Sequence, residues 1–502
     1  MFVLSRQEMR EIDQYTIHTE GIPGKTLMET AGLGCAKYIQ NRLSQDAKLF
    51  IFCGTGNNGG DGFVIARYLH QWGHHPRVFV LGDVAASTPE TRENYQQCKE
   101  LGIPLERVDS LDAWFGLDAA SITPDVVVDA IFGNGFSGVV RGWRGDMIEV
   151  INDLGGLIFS VDIPSGVDAD TGEAVCAIHA DVTLTMAAPK YGHLLGEGRA
   201  KTGKLEIIDI GVPPRVYRAL PPRGMHSTTD SIRFPQRSSL AHKGDFGRIG
   251  IIAGSPGFSG AAVLASRAAL RAGGGLITLF HPAGMDTIFE IKLTEVMTCA
   301  IPFAAENRYD IAAIEEKLNT MDVLLFGPGV GVSEQSLQML EYLLASWHKP
   351  LIIDADGLNL LSTHSNLLGQ LAGKSILLTP HLGEFARLAT CSLMAVREQT
   401  IARLTAFTRA HGVAVLLKSA TTILAAGEEL WFDTTGNDAL ATGGSGDVLS
   451  GIITSFVGQK LSVQEAAVAA SWLLGTTAEK LCNTRGSASV IPSDIIEALF
   501  CV

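Results

Sequence analysis

Residues 442–451 read TGGSGDVLSG, and this stretch decides how the rest of the chain is interpreted. Its glycines come before Asp447 and an apolar run at helical spacing over residues 448–456. Glycines let a backbone approach a ligand closely, and a helix start presents unpaired N–H groups and the positive end of a dipole. The stretch therefore predicts an anion cradle, in which Asp447 would repel phosphate and is better suited to act on a hydroxyl. The alternative is a glycine-rich turn without a ligand, since glycine motifs are weak signals by themselves.

The bulk properties indicate a large α/β protein. With 502 residues, two large domains or about three are expected, and 46% hydrophobic residues with 55 glycines favour many tight strand-to-helix turns. The net charge of -14 argues against nucleic-acid and membrane-surface partners. Eight scattered cysteines without a C-x-x-C pair favour a reducing compartment. Because no signal-peptide core or membrane-length apolar run is found, we expect a cytoplasmic location.

The first half of the chain alternates helical and buried-strand patterns. Ser5 and Glu8 form a capping box ahead of a helix, and residues 26–39 form a second helical pattern. LFIFC at 49–53 is typical of a buried parallel strand, and it precedes GTGNNGGDG at 54–62 and a helix that resumes at residue 63. Further buried strands are predicted at 78–81, 126–130, 157–161, 182–186 and 205–208. This alternation predicts a parallel sheet that binds ligands at the carboxyl ends of its strands.

A second α/β series follows a proline-rich segment at 211–237. Its strands are predicted at 248–253, 276–280, 323–326, 351–354, 376–379 and 413–418, and residues 413–432 favour adjacent antiparallel strands. No sequence repeat relates the halves. We therefore predict two unrelated, doubly wound three-layer domains at 1–215 and 236–502, with a linker at 216–235.

Polar side chains follow several predicted strands of the first half. GTGNNGGDG lies where a phosphate loop belongs, but it lacks the lysine of nucleotide triphosphatases and matches the dinucleotide fingerprint poorly. Its polar residues favour contacts with sugar hydroxyls or a cation. Asp129, Asp162 and Lys190 lie at three other strand ends. The alternative role of the two carboxylates is to cap the helices that follow, and Lys190 is as compatible with a structural role.

Five motifs together resemble the NAD(P)H-hydrate epimerase family over residues 1–215: MREID at 9–13, LMETAG at 27–32, GTGNNGGDG, DAIFGNGFSG at 129–138 and VDIPSGVDADTG at 161–172. The resemblance implies a Rossmann-like fold and interconversion of the R and S forms of hydrated NADH or NADPH. It implies that the substrate is contacted by Asn57, Asn58, Gly59, Gly60, Asp61, Gly133, Asn134, Gly135, Phe136, Ser137, Gly138, Val139 and Asp162. It also implies a potassium ion bound by Asn58, Asp129 and Ser165.

Inversion at C6 of the hydrated ring is possible by reversible ring opening or by loss and return of the hydroxyl. Either route needs an acid–base group near that carbon, and Asp162 is our hypothesis for it.

The second half also places polar residues at consecutive strand ends, where doubly wound sheets bind ligands. His381 alone would more often be a capping residue, and Lys418 alone a surface lysine. Together, GDFGRIGIIAGS at 244–255, FGPGVG at 326–331, IDADGLN at 353–359, LTPHLGE at 378–384, KSATT at 418–422 and ATGGSGDVLSG at 441–451 resemble the ADP/ATP-dependent NAD(P)H-hydrate dehydratase family from about residue 225 onward.

That second resemblance implies a ribokinase-like fold that uses Mg²⁺, and ADP is the donor that we expect. It implies contacts with the nucleotide phosphates from Lys418, Ser419, Ala420, Thr421, Thr422 and Gly446, and contacts with the S-hydrate from Ala262, Gly331, His381 and Asp447. Ser419 stands where the family's motif usually has glycine. Asp447 is the expected base on the accepting hydroxyl, because phosphorylation turns a poor leaving group into a good one.

The sequence therefore predicts a bifunctional repair enzyme acting on NADHX and NADPHX. One domain would interconvert the epimers, and the other would dehydrate the S form at the expense of ADP, giving AMP and phosphate; a homo-oligomer is expected from family habit. A second hypothesis is a small-molecule kinase with a regulatory nucleotide-binding N-terminal domain. A third makes that domain a purely binding module, against which the grouping of Asp129, Asp162 and Ser165 argues.

Overall fold

The computed structural model describes residues 1–500 of the protein. They divide into two compact units, one of Phe2–Gly224 and one of Met225 onward together with Met1. Among the described residues, no helix combines the length and the apolar character needed to cross a membrane. Short 3-10 helices lie at Val84–Ala86, Asp118–Ser121, Thr229–Ser231, Ala305–Asn307, Ser365–Gln370, Asp438–Leu440 and Ser487–Ser489.

The first unit alternates strands and helices along most of its length. Its strands are β1 (Phe2–Val3), β2 (Leu49–Cys53), β3 (Pro76–Leu81), β4 (Leu105–Val108), β5 (Val126–Ala130), β6 (Leu157–Val161), β7 (Val182–Met186) and β8 (Lys204–Ile208). Its helices are α1 (Arg6–His18), α2 (Gly24–Gln40), α3 (Asn57–Gln71), α4 (Pro89–Glu100), α5 (Leu111–Phe115), α6 (Trp143–Asp153), α7 (Tyr191–Leu194), α8 (Gly196–Thr202) and α9 (Pro214–Ala219). A further strand, β9 (Gly224–His226), lies at the division between the units.

A seven-stranded sheet in the order β4-β3-β2-β5-β6-β7-β8 organises this unit, and all its pairings are parallel. Along β2, Ile51 packs in a core with α1, α2 and α3, whereas Phe50 and Phe52 pack in a second core with α5 and α6. Burial of both faces explains why LFIFC is apolar throughout. The predicted doubly wound α/β fold is confirmed.

The glycine-rich stretch at 54–62 differs from its prediction, because α3 begins at Asn57 rather than at residue 63. Its glycines serve close packing. A Cβ on Gly59 would lie 1.9 Å from the carbonyl oxygen of Gly54, and one on Gly62 would lie 2.7 Å from the side chains of Ala130 and Cys53. Only glycine lets this first turn lie directly against the strand ends.

The second unit has the same alternation and a larger sheet. Its strands are β10 (Arg248–Ile252), β11 (Leu276–Pro282), β12 (Met297–Ile301), β13 (Val323–Phe326), β14 (Leu351–Ile353), β15 (Ile376–Leu378), β16 (Ala414–Leu417), β17 (Thr422–Ala426) and β18 (Glu429–Asp433). Its helices are α10 (Ser259–Arg271), α11 (Asp286–Lys292), α12 (Ala312–Asn319), α13 (Glu334–Ser346), α14 (Asp356–Thr363), α15 (Leu382–Leu388), α16 (Leu393–Glu398), α17 (Thr400–His411), α18 (Ser445–Gly458), α19 (Val463–Cys482) and α20 (Pro492–Ala498).

These strands lie in the order β18-β17-β16-β15-β14-β13-β10-β11-β12. Pairing is parallel from β12 to β16 and antiparallel from β16 to β18, as predicted for residues 413–432. The apolar run after Asp447 becomes α18, which is buried from Val448 to its end and packs against α10 and α19. The predicted linker at 216–235 contains the end of α9 and all of β9, so it is more ordered than its proline content indicated.

Candidate functional site

A cavity of about 730 Å³ opens in the first unit at the carboxyl ends of its strands. It lies between α1, α2, the start of α3 and the loops after β5 and β6. Of the predicted site residues, its lining includes Asn57, Asn58, Asp61, Gly133, Asn134, Gly135, Phe136 and Asp162. The remaining predicted residues of this unit, Gly59, Gly60, Ser137, Gly138, Val139, Asp129 and Ser165, are outside that lining.

Asp162 is held rigidly at the edge of this cavity. The buried Lys190 ammonium donates to its Oδ1 at 2.6 Å, and the backbone N–H of Asn134 donates to its Oδ2 at 2.7 Å. Burial alone would raise the pKa of Asp162, but the charge and the hydrogen bond of Lys190 outweigh it and hold the pKa below its usual range. Asp162 is therefore an anion whose two oxygens are already engaged.

Lys190 is in turn fixed by the protein. Its Nζ, which is fully buried, also donates to the Thr185 hydroxyl at 2.9 Å and to the Met186 carbonyl at 3.0 Å. Its backbone N–H donates to Nδ1 of His193, so the proton of this imidazole is on Nε2, which donates to the Asp162 carbonyl at 2.9 Å. Burial, with the charge of Lys190, lowers the pKa of His193 to about 3 and keeps the ring neutral.

The three predicted potassium ligands form a buried pair and a third side chain that has no protein partner. Asp129 is fully buried and accepts hydrogen bonds from Ser165, Ser160 and the backbone N–H of Ile131. Burial raises the pKa of Asp129, and this effect outweighs the hydrogen bonds, which lower the pKa. Both amide atoms of Asn58 are buried without a hydrogen-bond partner among the described residues. Amide, hydroxyl and carboxylate oxygens are the donor chemistry that suits a hard cation, and the unpartnered amide of Asn58 is compatible with such a ligand.

Two further carboxyl groups line the cavity: Asp61, which was predicted as a substrate contact, and Asp13, which was not selected from the sequence. Burial, followed by the charges of Asp162 and Asp13, raises the pKa of Asp61 well above its usual range. Burial also raises the pKa of Asp13 to about 6, with Lys190 opposing the effect and Asp162 adding to it. Asp13 belongs to the MREID motif, but only the fold brings α1 over the sheet edge, so spacing alone could not have selected it.

A second constellation lies along the strand ends of the other unit. The turn after β10 meets the turn after β13, since the Gly254 N–H donates to the Pro328 carbonyl at 2.9 Å and the Ser255 hydroxyl to the Gly329 carbonyl at 2.8 Å. The Gly331 N–H then donates to the Asp356 carboxylate at 2.9 Å. These hydrogen bonds connect the loops that follow β10, β13 and β14 at one edge of the sheet.

Lys418 connects this edge with the start of α18. Its Nζ donates to Asp354 at 2.8 Å, and a Cβ on Gly446 would lie 3.2 Å from the same Nζ. Burial would lower the pKa of Lys418, but the carboxylates of Asp354, Glu384 and Asp447 outweigh it and raise the pKa. A fixed cation therefore lies beside a helix N-terminus, which is an arrangement suited to anionic oxygens.

Asp447 lies in the first turn of α18, and the pKa of its carboxyl group differs from that of an ordinary surface carboxylate. Burial raises its pKa to about 7, and the charges of Asp354 and Asp356 add to the effect while Lys418 opposes it. A carboxyl group with a pKa near neutrality exchanges protons readily at physiological pH. Its position beside Lys418 fits a base that acts on a hydroxyl.

The other predicted residues of this half occupy different positions around the same edge. Ala262 is buried in α10, 3.1 Å from where a Cβ on Gly254 would lie. His381 caps α15, where its Nδ1 accepts from the N–H groups of Gly383 and Glu384, and its ring is exposed. The turn between β16 and β17 contains the remaining predicted phosphate contacts, Ser419, Ala420, Thr421 and Thr422, with Thr422 opening β17.

Two known families match the chain, one within each compact unit. Residues 249–500 match the family described as NAD(P)H-hydrate dehydratase, and residues 24–192 match the family described as YjeF-related protein N-terminus.

Relatives of full length match as well. A bifunctional NAD(P)H-hydrate repair enzyme from Moorella thermoacetica is 35% identical, over 99% of this chain and 96% of the relative. One from Salinibacter ruber is 34% identical over 99% of this chain and 95% of the relative. Among solved structures, a ribokinase-like superfamily protein from Enterococcus faecalis has 27% identity and a TM-score of 0.49, over 55% of this chain and 94% of the other.

Proposed function

The chain belongs to the family of bifunctional NAD(P)H-hydrate repair enzymes, and from that membership we propose that it restores hydrated NADH and NADPH in two steps. In the first step, the R and S hydrates are interconverted. In the second, the S hydrate is dehydrated at the expense of ADP, which yields AMP and phosphate. The two steps belong together because a dehydratase that accepts only one epimer leaves the other epimer unrepaired.

The epimerase step is assigned to the cavity of the first unit. Asp162, anchored by Lys190 and the Asn134 N–H, would contact the hydrated nicotinamide nucleotide. The acid–base role that the sequence gives to Asp162 stays a prediction. Potassium would be held by Asn58, Asp129 and Ser165, and it would supply positive charge close to the nucleotide.

The dehydratase step is assigned to the strand-end edge of the second unit. The single observation that carries this proposal is the meeting of Lys418 with Gly446 at the start of α18, because it joins a fixed cation to free helix N–H groups. The nucleotide phosphates would bind there, and Asp447 would take the proton of the accepting hydroxyl. Ala262, Gly331 and His381 would contact the hydrate.

Magnesium would be held chiefly by the nucleotide. Among residues 1–500, no cluster of three or more His, Cys, Asp or Glu side chains could hold a metal ion. Mg²⁺ commonly binds through substrate phosphates with few protein ligands, so the site fits this mode. When bound, it would neutralise charge on the phosphates. We also keep as proposals a homo-oligomer and the domain bounds 1–215 and 236–502.

One assay tests the function. The chain is incubated with a mixed R and S hydrate of NADH, ADP, Mg²⁺ and K⁺, and the absorbance of the restored dihydronicotinamide is followed. We expect complete recovery of both epimers. With Li⁺ in place of K⁺, we expect recovery of the S fraction followed by a slow phase at the rate of spontaneous epimerisation. No recovery with ADP or ATP would favour the kinase hypothesis, and equal rates in both salts would contradict the potassium site.

A further inference from the structure

The cavity of the first unit contains a second carboxylate that is suited to proton transfer. Asp13 lies on α1 next to the buried face of that helix, which is formed by Met9, Ile12 and Thr16. It lines the cavity that Asp162 also lines. Within residues 1–500 no hydrogen bond or ion pair joins the Asp13 carboxyl group to another side chain, in contrast to Asp162. Its oxygens are therefore available to a ligand.

Asp162 is poorly placed to hold a proton. Both of its oxygens already accept hydrogen bonds, and protonation would leave the buried Lys190 ammonium without its counter-charge. The same constraint suits another task. A fixed anion can accept one further hydrogen bond and so orient a hydroxyl group in the cavity.

Burial and the charged groups around Asp13 explain why its proton affinity is intermediate. Burial disfavours its ionised form most strongly and the charge of Asp162 adds to that effect, while Lys190 favours the ionised form. Asp61 lines the same cavity, and the charges of Asp162 and Asp13 add to the burial that raises its pKa. Arg10 of α1 lines the same cavity, and Tyr217 of α9 packs near α1 with a pKa that is raised by burial and by the charges of Asp209 and Asp13. These opposing influences leave the pKa of Asp13 at about 6, within reach of physiological pH.

Asn58 indicates that the cavity takes a polar ligand. It is 7% exposed, it lines the cavity, and both its amide atoms lack a partner among the described residues. Buried amides are ordinarily hydrogen-bonded, so an unpaired one marks a place where a ligand or ion completes the site. The carboxylates around it therefore belong to a binding site rather than to a solvated acidic patch.

We propose that Asp13 is a catalytic residue of the epimerase site, taking the proton of the C6 hydroxyl of the hydrated nicotinamide and returning it after inversion. This inference rests on the proposed epimerase function. In the step, the Asp13 carboxylate removes the hydroxyl proton and the O–H electron pair forms a C6=O bond. The C6–N1 bond breaks and its pair passes to N1. After C6 turns its other face, N1 adds to the carbonyl carbon and Asp13 returns the proton to the oxygen, so no atom or charge is gained or lost.

The test measures kcat/KM for interconversion of purified R and S hydrates between pH 5 and 8, with epimers separated by chromatography and the spontaneous rate subtracted. Because the ionised form of Asp13 is the active one, the wild-type value should be constant above its pKa and fall about tenfold per pH unit below it. Asp13→Asn should lower the plateau by about 10²-fold or more. Its residual rate should not show the decrease at low pH, which is the acid limb of the profile. Asp13→Glu should restore the limb.

Two controls separate the proposal from a structural effect. Glu11→Gln removes an exposed carboxylate from the same helix and should leave the profile unchanged. Asp162→Asn should lower the rate but keep the acid limb. Loss of the limb in Asp162→Asn, with its retention in Asp13→Asn, would overturn the inference and return the acid–base role to Asp162. A wild-type chain that dehydrates the S hydrate but interconverts no epimers would overturn the proposed epimerase function as well.

Discussion

Both proposed sites contain a non-glycine residue in the left-handed backbone region. Asp162 has φ of 67°, and Ala355, which separates Asp354 from Asp356, has φ of 50°. Such backbone costs on the order of 1–3 kcal/mol and persists only where its surroundings impose it. At Asp162, the hydrogen bonds from Lys190 and Asn134 meet that requirement. At Ala355, the strained link turns two carboxylates in one strand end toward different partners, Lys418 and Gly331.

Replacing Asp447 with Asn should abolish dehydration and leave epimerisation intact. A base must be ionised to accept a proton, so wild-type kcat/KM for dehydration should rise with pH up to the Asp447 pKa of about 7 and then level off. We expect a loss of about 10²–10⁴-fold in the variant, with the pH dependence removed. Asp438→Asn, which changes an exposed carboxylate nearby, is the matched control. Loss of both activities in Asp447→Asn would refute the assignment of separate sites.

At the scale of elements, the sequence predicted the central strands well but missed two edge strands. β2, β5, β6 and β13 have the predicted bounds, because a strand buried on both faces must be apolar at nearly every position. The edge strands β4 and β12 are partly exposed, so they lack such a run and were not predicted. Strands could therefore be identified from the sequence where both of their faces are buried.

Some residues of the candidate sites could likewise be predicted from the sequence, and others could not. Asp129, Asp162, Lys418 and Asp447 could be selected because each lies at or just after the end of a predicted strand or at the start of a predicted helix. Asp13 could not, since its role depends on where α1 packs rather than on its neighbours in sequence. Local patterns predict which groups reach a sheet edge, but they do not predict how a distant helix covers that edge or how neighbouring charges shift a pKa.

Gly451 offers a test of how closely α18 packs. Alanine normally favours a helix over glycine by about 1 kcal/mol. At this position, however, a Cβ would lie 2.3 Å from the backbone oxygen of Ala265 in α10, and backbone cannot move aside as a side chain can. We expect Gly451→Ala to lower the free energy of unfolding by about 1–3 kcal/mol.

The matched control is Gly443→Ala, because a Cβ on Gly443 would meet nothing within 4 Å. Thermal unfolding of both variants beside the wild type measures the difference. A loss of about 1 kcal/mol should lower the melting temperature by about 2–4 °C in a unit of this size. Equal melting temperatures for the two variants would show that α10 and α18 tolerate separation.

At the scale of the whole molecule, each proposed site is built within one compact unit. Every residue assigned to epimerisation lies in Phe2–Gly224, and every residue assigned to dehydration lies after Met225. Because neither constellation borrows a side chain from the other, the chemistry of one does not require the other site of the same chain to be active. What couples the two steps is the shared S hydrate, which one unit forms and the other consumes.

Complementation between two impaired chains tests this independence. Asp162→Asn alone, given the mixed hydrate and ADP, should restore the S fraction and then slow to its own reduced rate of epimerisation, and Asp447→Asn alone should restore nothing. An equimolar mixture should restore both epimers completely, because the S hydrate formed on one chain can diffuse to the other. The final rate should increase with the concentration of either variant when that variant is limiting. If the mixture instead behaves like Asp162→Asn alone, the hydrate passes between sites only within a chain. The two sites would then not act independently.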